Sequence, residues 1–201
     1  MSMRLKAENI YFRYSENKPW LLDNVNIKIE SGEKIGIVGA SGGGKSTLAK
    51  ILSAYIRPNK GQVIFNSSPL PISGFCPVQL IHQHPELSVN PRLKMERILN
   101  EFWTPDPGLV DSMGIKKKWL LRHPHELSGG ELQRFCIARV LSPKTKFLIC
   151  DEITSMLDTI TQAQIWRIVM DFVEDNNIGM IVITHNMNLA KRICDRIVEL
   201  E

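Results

Sequence analysis

The sequence predicts an α/β chain with a mainly parallel core sheet, a small antiparallel sheet near the N-terminus and an inserted helical segment. The short apolar runs Ile35-Gly36-Ile37-Val38, Phe147-Leu148-Ile149-Cys150 and Met180-Ile181-Val182-Ile183 read as strands covered on both faces, the pattern of a parallel sheet. Residues 5–12 and 22–29 alternate apolar and polar side chains, the period of half-buried antiparallel strands. From about residue 84 to residue 141 the chain reads helical, with breaks rich in Pro and Gly.

Taken in order, the two alternating strands are joined by a polar loop that contains Tyr14 and ends at Pro19. A helix begins near Lys45 and ends at Arg57-Pro58, because Pro58 disfavours the helical conformation at Arg57. Residues 61–65 form a short strand returning to the antiparallel sheet, and residues 78–83 form another strand. A helical pattern covers residues 93–103. Ser128 and Glu131 make an S-x-x-E capping box ahead of Leu132, Phe135, Cys136 and Val140, so a helix starts there. Residues 195–200 give the last strand.

With 201 residues and 43 % hydrophobic side chains, one domain with a proper core is expected. The net charge of +4 is too small an excess to argue for nucleic acid. Lys116-Lys117-Lys118 with Arg122 is the densest basic patch and reads as a solvated face, with a membrane-surface role as the alternative. The widely spaced Cys76, Cys136, Cys150 and Cys194 read as reduced, mostly buried thiols of a cytosolic protein. The N-terminus lacks the apolar core of a leader, and no run is long enough to span a bilayer. His82, His84, His123 and His125 lack partners at metal-ligand spacing and read as loop polar groups.

The chemistry concentrates in Gly39-Ala40-Ser41-Gly42-Gly43-Gly44-Lys45-Ser46-Thr47, which follows a strand and opens a helix. This is G-x-x-x-x-G-K-[ST] in its required context, a loop whose amides and helix N-terminus cradle phosphate. Lys45 adds a full charge at the β- and γ-phosphates, and the Ser46 hydroxyl suits a magnesium ion. Gly129 and Gly130 are unfavourable inside a helix start and suggest close approach by another anion. Asp151-Glu152 and Thr184-His185 close two of the apolar strands. Ligands of open parallel sheets sit at the carboxyl ends of the strands, so loop, carboxylates and histidine should converge.

Together with Gln83 and Leu127-Ser128-Gly129-Gly130-Glu131, these ordered features resemble the ATP-binding subunit of an ABC transporter over essentially the whole chain. His84-Pro85 and Ser88-Val89-Asn90-Pro91 are similar to the corresponding region of the oligopeptide, dipeptide and nickel or metallophore importers. The resemblance implies a P-loop NTPase with a RecA-like core over residues 1–83 and 142–201 and a helical subdomain over about 84–141. It implies that Tyr14 stacks on adenine, that Gln83 contacts magnesium and the attacking water, and that Asp151 holds magnesium from the outer side. Glu152 becomes the general base, Asp158 the D-loop carboxylate and His185 the switch histidine. ATP and Mg2+ are the implied cofactors.

The implied partners are a second ATPase subunit, identical or paralogous, whose Ser128 signature covers the neighbour's ATP, then permease subunits and, indirectly, a solute-binding protein. No nucleic-acid partner is implied, and the place is the cytoplasmic face of the membrane. Ile153 stands where the family usually has Pro, Met156 where it has Ala, and Glu131 where Gln is commoner. None of these removes a catalytic group. The hairpin and terminal helices that follow in the family have no counterpart after residue 200. Competing readings are a soluble ABC-type ATPase, a regulatory module that binds ATP without hydrolysing it, and a P-loop small-molecule kinase. The kinase offers no reason for Ser128-Gly129-Gly130.

Overall fold

A computed structural model describes residues 2–71 and 73–200. The strands are β1 (Arg4–Phe12), β2 (Leu22–Glu30), β3 (Lys34–Val38), β4 (Lys60–Phe65), β5 (Ser68–Pro69), β6 (Val78–Ile81), β7 (Phe147–Asp151), β8 (Gly179–Ile183) and β9 (Arg196–Glu199). The α-helices are α1 (Lys45–Leu52), α2 (Met95–Leu99), α3 (Pro107–Ser112), α4 (Gly129–Val140), α5 (Thr159–Asp175) and α6 (Met187–Ile193). The chain forms two compact units, one of residues 1–80, 146–151 and 177–201, the other of residues 81–145 and 152–176.

The first unit holds an antiparallel sheet ordered β2-β1-β4-β5, and the second sheet of the chain is ordered β6-β7-β8-β3-β9. In that sheet β7 pairs with β8, β8 with β3 and β3 with β9, all parallel. Every residue of β7 and β8 is buried, as their apolar runs require. Strand β1 buries Leu5, Ala7, Ile10 and Phe12, a period of two that slips by one residue. A register shift between Ala7 and Ile10, with Asn9 at φ 51°, supplies the slip, so that both halves of the strand face the core.

Helix α1 starts where the sequence places it but ends at Leu52, not at Arg57. Ala54 takes the left-handed conformation at φ 62°. The Ala54 amide then donates to the Ile51 carbonyl and the Tyr55 amide to the Lys50 carbonyl, a Schellman ending built without its usual glycine. Strand β6 is two residues shorter than expected, because Gln133 Nε2 donates to the His82 carbonyl at 3.2 Å and takes it out of strand pairing.

In the second unit the expected helix over 93–103 is reduced to α2, whose end is held by Asn100 Nδ2 donating to the Glu96 carbonyl. Much of the stretch before α4 is 3-10 turns, at Pro85–Ser88, Lys117–Trp119 and Pro124–Glu126. Helix α4 carries the expected capping box. Its buried Leu132, Phe135 and Cys136 face the interior, as do Met95, Ile98 and Leu99 of α2, and the two helices pack together. Arg139, only 7 % exposed, braces this unit by pairing with Glu101 at 3.3 Å and donating to the Ser88 carbonyl at 2.8 Å. Helix α5 is absent from the expected elements, although Asp158 caps it and Ile165, Trp166, Val169 and Val173 recur at helical spacing.

Two expectations follow. Phe147 is 1 % exposed and meets Phe65 edge to face at 6.1 Å, so Phe147→Ala should lose about 3–5 kcal/mol of stability in urea unfolding, against well under half of that for the volume-sparing Phe147→Leu. Burial raises the pKa of all four thiols: Cys150 far up, Cys194 to about 11, and Cys76 and Cys136 upward as well. A raised pKa empties the thiolate at neutral pH. Native chain at pH 8 should therefore resist iodoacetamide at every cysteine, and denatured chain should alkylate fully, as mass spectrometry would show.

Candidate functional site

The phosphate loop lies between β3 and α1 in the first unit. Gly44 takes φ 85°, and a Cβ there would stand 2.7 Å from Leu22 Cδ2 and 3.2 Å from the Leu21 carbonyl, so no other residue fits this turn. The Gly43 amide closes the loop onto the Ala40 carbonyl at 3.1 Å. Lys45 is 9 % exposed, and its ammonium is drawn into the loop, donating to the Gly39 carbonyl at 2.9 Å and the Ala40 carbonyl at 2.7 Å. Ser41, Gly42 and Ser46 are exposed along the same segment.

Tyr14 stands beside this loop. Its hydroxyl shares a 2.9 Å hydrogen bond with Thr47 Oγ1, its ring meets Phe12 edge on at 4.9 Å, and it is 67 % exposed. An aromatic anchored at its tip and edge keeps a face open for a planar ligand.

The parallel register carries the other groups to the same end of the sheet. Ile37 pairs with Ile183 and Ile183 with Asp151, so these three residues stand level across β3, β8 and β7. Adjacent strands are about 4.8 Å apart. Asp151 therefore ends one strand beside Thr184-His185, and Gly39 begins its loop on the other side of Thr184-His185, with β8 between it and Asp151. Asp151 is 5 % exposed, His185 is exposed, and the Asn186 amide donates to Thr184 Oγ1 at 3.0 Å. Within this unit the loop, Asp151 and Thr184-His185 follow strand ends on the same edge of the sheet.

Gln83 and Glu152 belong to the second unit, where Gln83 Nε2 donates to Glu152 Oε2 at 2.8 Å. Glu152 adopts φ 47°, a left-handed conformation that costs a non-glycine residue about 1–3 kcal/mol and is held by its surroundings. The loop after it is pinned: Trp166 Nε1 donates to Thr154 Oγ1 at 3.2 Å, and Gln162 Nε2 donates to the carbonyls of Thr154 and Leu157. Ile153, where the resembling family has Pro, is 2 % exposed and fills the interior.

At the start of α4, Glu131 accepts from the Ser128 amide and Ser128 Oγ from the Glu131 amide, closing the capping box. A Cβ on Gly130 would lie 2.8 Å from Leu157 Cδ2, and one on Gly129 3.2 Å from Met156 Sδ. The glycines are thus needed by the chain's own 156–157 turn, whatever else approaches them. Asp158 Oδ1 accepts from the amides of Ile160 and Thr161 to cap α5, and bonding to Thr161 first of all holds its pKa below the usual carboxylate value.

A pocket of about 510 Å³ joins these parts: Lys116 and Trp119, Ser128 to Glu131, Arg134, and Met156 to Asp158 with Thr161. Sequence reading singled out Ser128, Gly129, Gly130 and Asp158 but not Lys116 or Arg134 as their neighbours; only the fold joins the basic run to the helix start. Of the histidines, His84 faces Glu86 at 3.5 Å and His123 faces Glu126 at 3.3 Å, and no cluster of His, Cys, Asp or Glu suited to a metal occurs among the described residues. No helix among those residues is long and apolar enough to cross a membrane.

Residues 22–155 match the ABC transporter family. Over nearly its whole length the chain is similar to the probable D,D-dipeptide transport ATP-binding protein DdpF of Escherichia coli K12, with 33 % identity across 96 % of this chain and 68 % of that one. It is also similar to the nickel import system ATP-binding protein NikE of Staphylococcus aureus RF122, with 34 % identity across 98 % of this chain and 86 % of the other. Among solved structures, the dimeric bacterial ABC transporter cassette MJ0796 superposes with a TM-score of 0.82 at 24 % identity, across 98 % of this chain and 94 % of that one. The same cassette, dimeric and bound to ADP and Pi after hydrolysis, gives 0.81 at 24 % identity, again across 98 % and 94 %. Phosphate loop, strand-end aspartate and Ser-Gly-Gly helix start occur together in the order this family requires, and the chain belongs to the ABC transporter family as one of its ATP-binding cassettes, an ABC ATPase.

Proposed function

We propose that the chain binds and hydrolyses ATP to power import of a peptide, nickel or metallophore-like solute through separate permease subunits. The observation that carries the reading is the row formed by Gly39's loop, Asp151 and Thr184-His185 at one end of the parallel sheet, with Lys45 buried in the loop. The names of the relatives, dipeptide transport and nickel import, support the solute class.

In this reading Gly39, Ser41, Gly42, Gly43, Gly44 and Thr47 shape the cradle, and Lys45 exchanges the Gly39 and Ala40 carbonyls for β- and γ-phosphate oxygens. Tyr14 supplies its open face to adenine. The donor set suits Mg2+, a hard cation taking oxygen ligands, with the Ser46 hydroxyl and the Asp151 carboxylate as holders and Gln83 as a further one. Held there, such an ion would supply charge neutralisation for the phosphates. Glu152 takes the proton of the attacking water, and Gln83, already bonded to the carboxylate, orients that water. His185 donates toward the γ-phosphate.

Ser128, Gly129, Gly130 and Asp158 act on the nucleotide of a second cassette, identical or paralogous. The helical part over about 84–141 faces the permease, the whole of 1–201 is one cassette, and it works on the cytoplasmic face of the membrane. A solute-binding protein is reached only through the permease.

Lys45→Ala should abolish useful ATP affinity in isothermal titration with magnesium, since it removes the ammonium held inside the loop. Unchanged affinity would move the phosphates elsewhere. Glu152→Gln keeps an oxygen for Gln83 but loses the base, so it should bind ATP normally and turn over about 10²- to 10⁴-fold more slowly. Phosphate release at the parental rate would take that role from Glu152.

A further inference from the structure

The pocket at the start of α4 contains two cations that the proposed mechanism does not use, Lys116 and Arg134. Lys116 is exposed, its ammonium stands 5.3 Å from the centroid of the buried Trp119 ring, and among the described residues it has no ion-pair partner. The pocket's two carboxylates are already engaged: Glu131 accepts from the Ser128 amide, and Asp158 from the amides of Ile160 and Thr161. Arg134 is engaged as well, donating to the Met113 carbonyl and to Thr161 Oγ1. What remains for a ligand is a pre-positioned ammonium beside the N-terminal turn of a helix of 12 residues. Both attract anions.

We propose that Lys116 is a nucleotide-contacting cation that acts across the dimer, its ammonium meeting phosphate or ribose oxygens of the ATP held in the phosphate loop of a second copy of this chain. The inference rests on the shared-site reading above and adds a residue to it. Stacking against Trp119 restricts the lysine before the ligand arrives, so less side-chain entropy is lost on contact. Lys117 and Lys118 are exposed in the same run but do not line the pocket. They separate a specific contact from diffuse positive charge.

The test uses the full chain carrying Glu152→Gln, with dimer formation followed by light scattering across ATP concentrations and at two salt concentrations. Adding Lys116→Gln should weaken the ATP-dependent dimer about tenfold, about threefold for each of two equivalent contacts, and flatten its salt dependence. Lys116→Arg should restore most of the loss, and Lys117→Gln should leave the dimer unchanged. Nucleotide affinity of the undimerised chain, read with a fluorescent ATP analogue at low protein concentration, should be the same in all variants. A Lys116→Gln dimer as tight as its parent, or an equal loss from Lys117→Gln, would overturn the inference while leaving the shared site intact. If the Glu152→Gln parent binds ATP but never dimerises, the shared-site reading falls and this inference falls with it.

Discussion

The parallel pairing of β3 with β8 and of β8 with β7 is the constraint on which the proposed nucleotide site of the first unit depends. Parallel strands run in the same direction, so all their carboxyl ends lie on one edge of the sheet, and a one-residue change of register would displace a whole strand end. Both faces of β7 and β8 are buried, so each strand lies between apolar layers and neither has a polar side turned toward water. The loop after β3, the carboxylate of Asp151 and His185 reach one edge because the strands they follow run parallel in this register.

In the second unit the controlling interactions are local and polar. Glu152 holds a left-handed backbone and a hydrogen bond to Gln83, and the loop after it is clamped by Trp166 and Gln162 of α5. That clamp sets Met156 and Leu157 against Gly129 and Gly130. Side chains larger than hydrogen at either glycine would push the turn away from the start of α4, and Asp158, which caps α5 immediately afterwards, would move with it.

Legibility in the sequence followed the range of the physics involved. The buried strands, the phosphate loop and the capping box at Ser128 depend on short windows of apolar pattern or on a few residues at fixed offsets, and they were readable at once. The early end of α1 was not, because its left-handed ending residue is Ala54 where glycine is the usual signal. The shortening of β6 depends on Gln133, fifty-one positions along the chain from His82, which no local window contains. Helix α5 was readable in principle from its cap and its period. Lys116 was visible only as part of a charge run, since its place beside Ser128 is a product of tertiary folding.

The chain's division into two units also distributes the chemistry. The first unit holds the groups proposed to bind and neutralise phosphate: the loop, Lys45 and Asp151. The second holds Gln83, Glu152 and the Ser-Gly-Gly helix start. Asp151 and Glu152 are neighbours in sequence, so one peptide link ties the proposed magnesium-holding carboxylate to the proposed base, their Cα atoms about 3.8 Å apart. The positive φ of Glu152 makes that link a turn, directing the two carboxylates away from the simple alternation of a continuing strand. An extended Glu152 would prolong β7 and place its side chain by strand geometry alone; the left-handed turn places it where Gln83 can reach it. Strain at this single residue is therefore the structural means by which two adjacent acids are set in different surroundings.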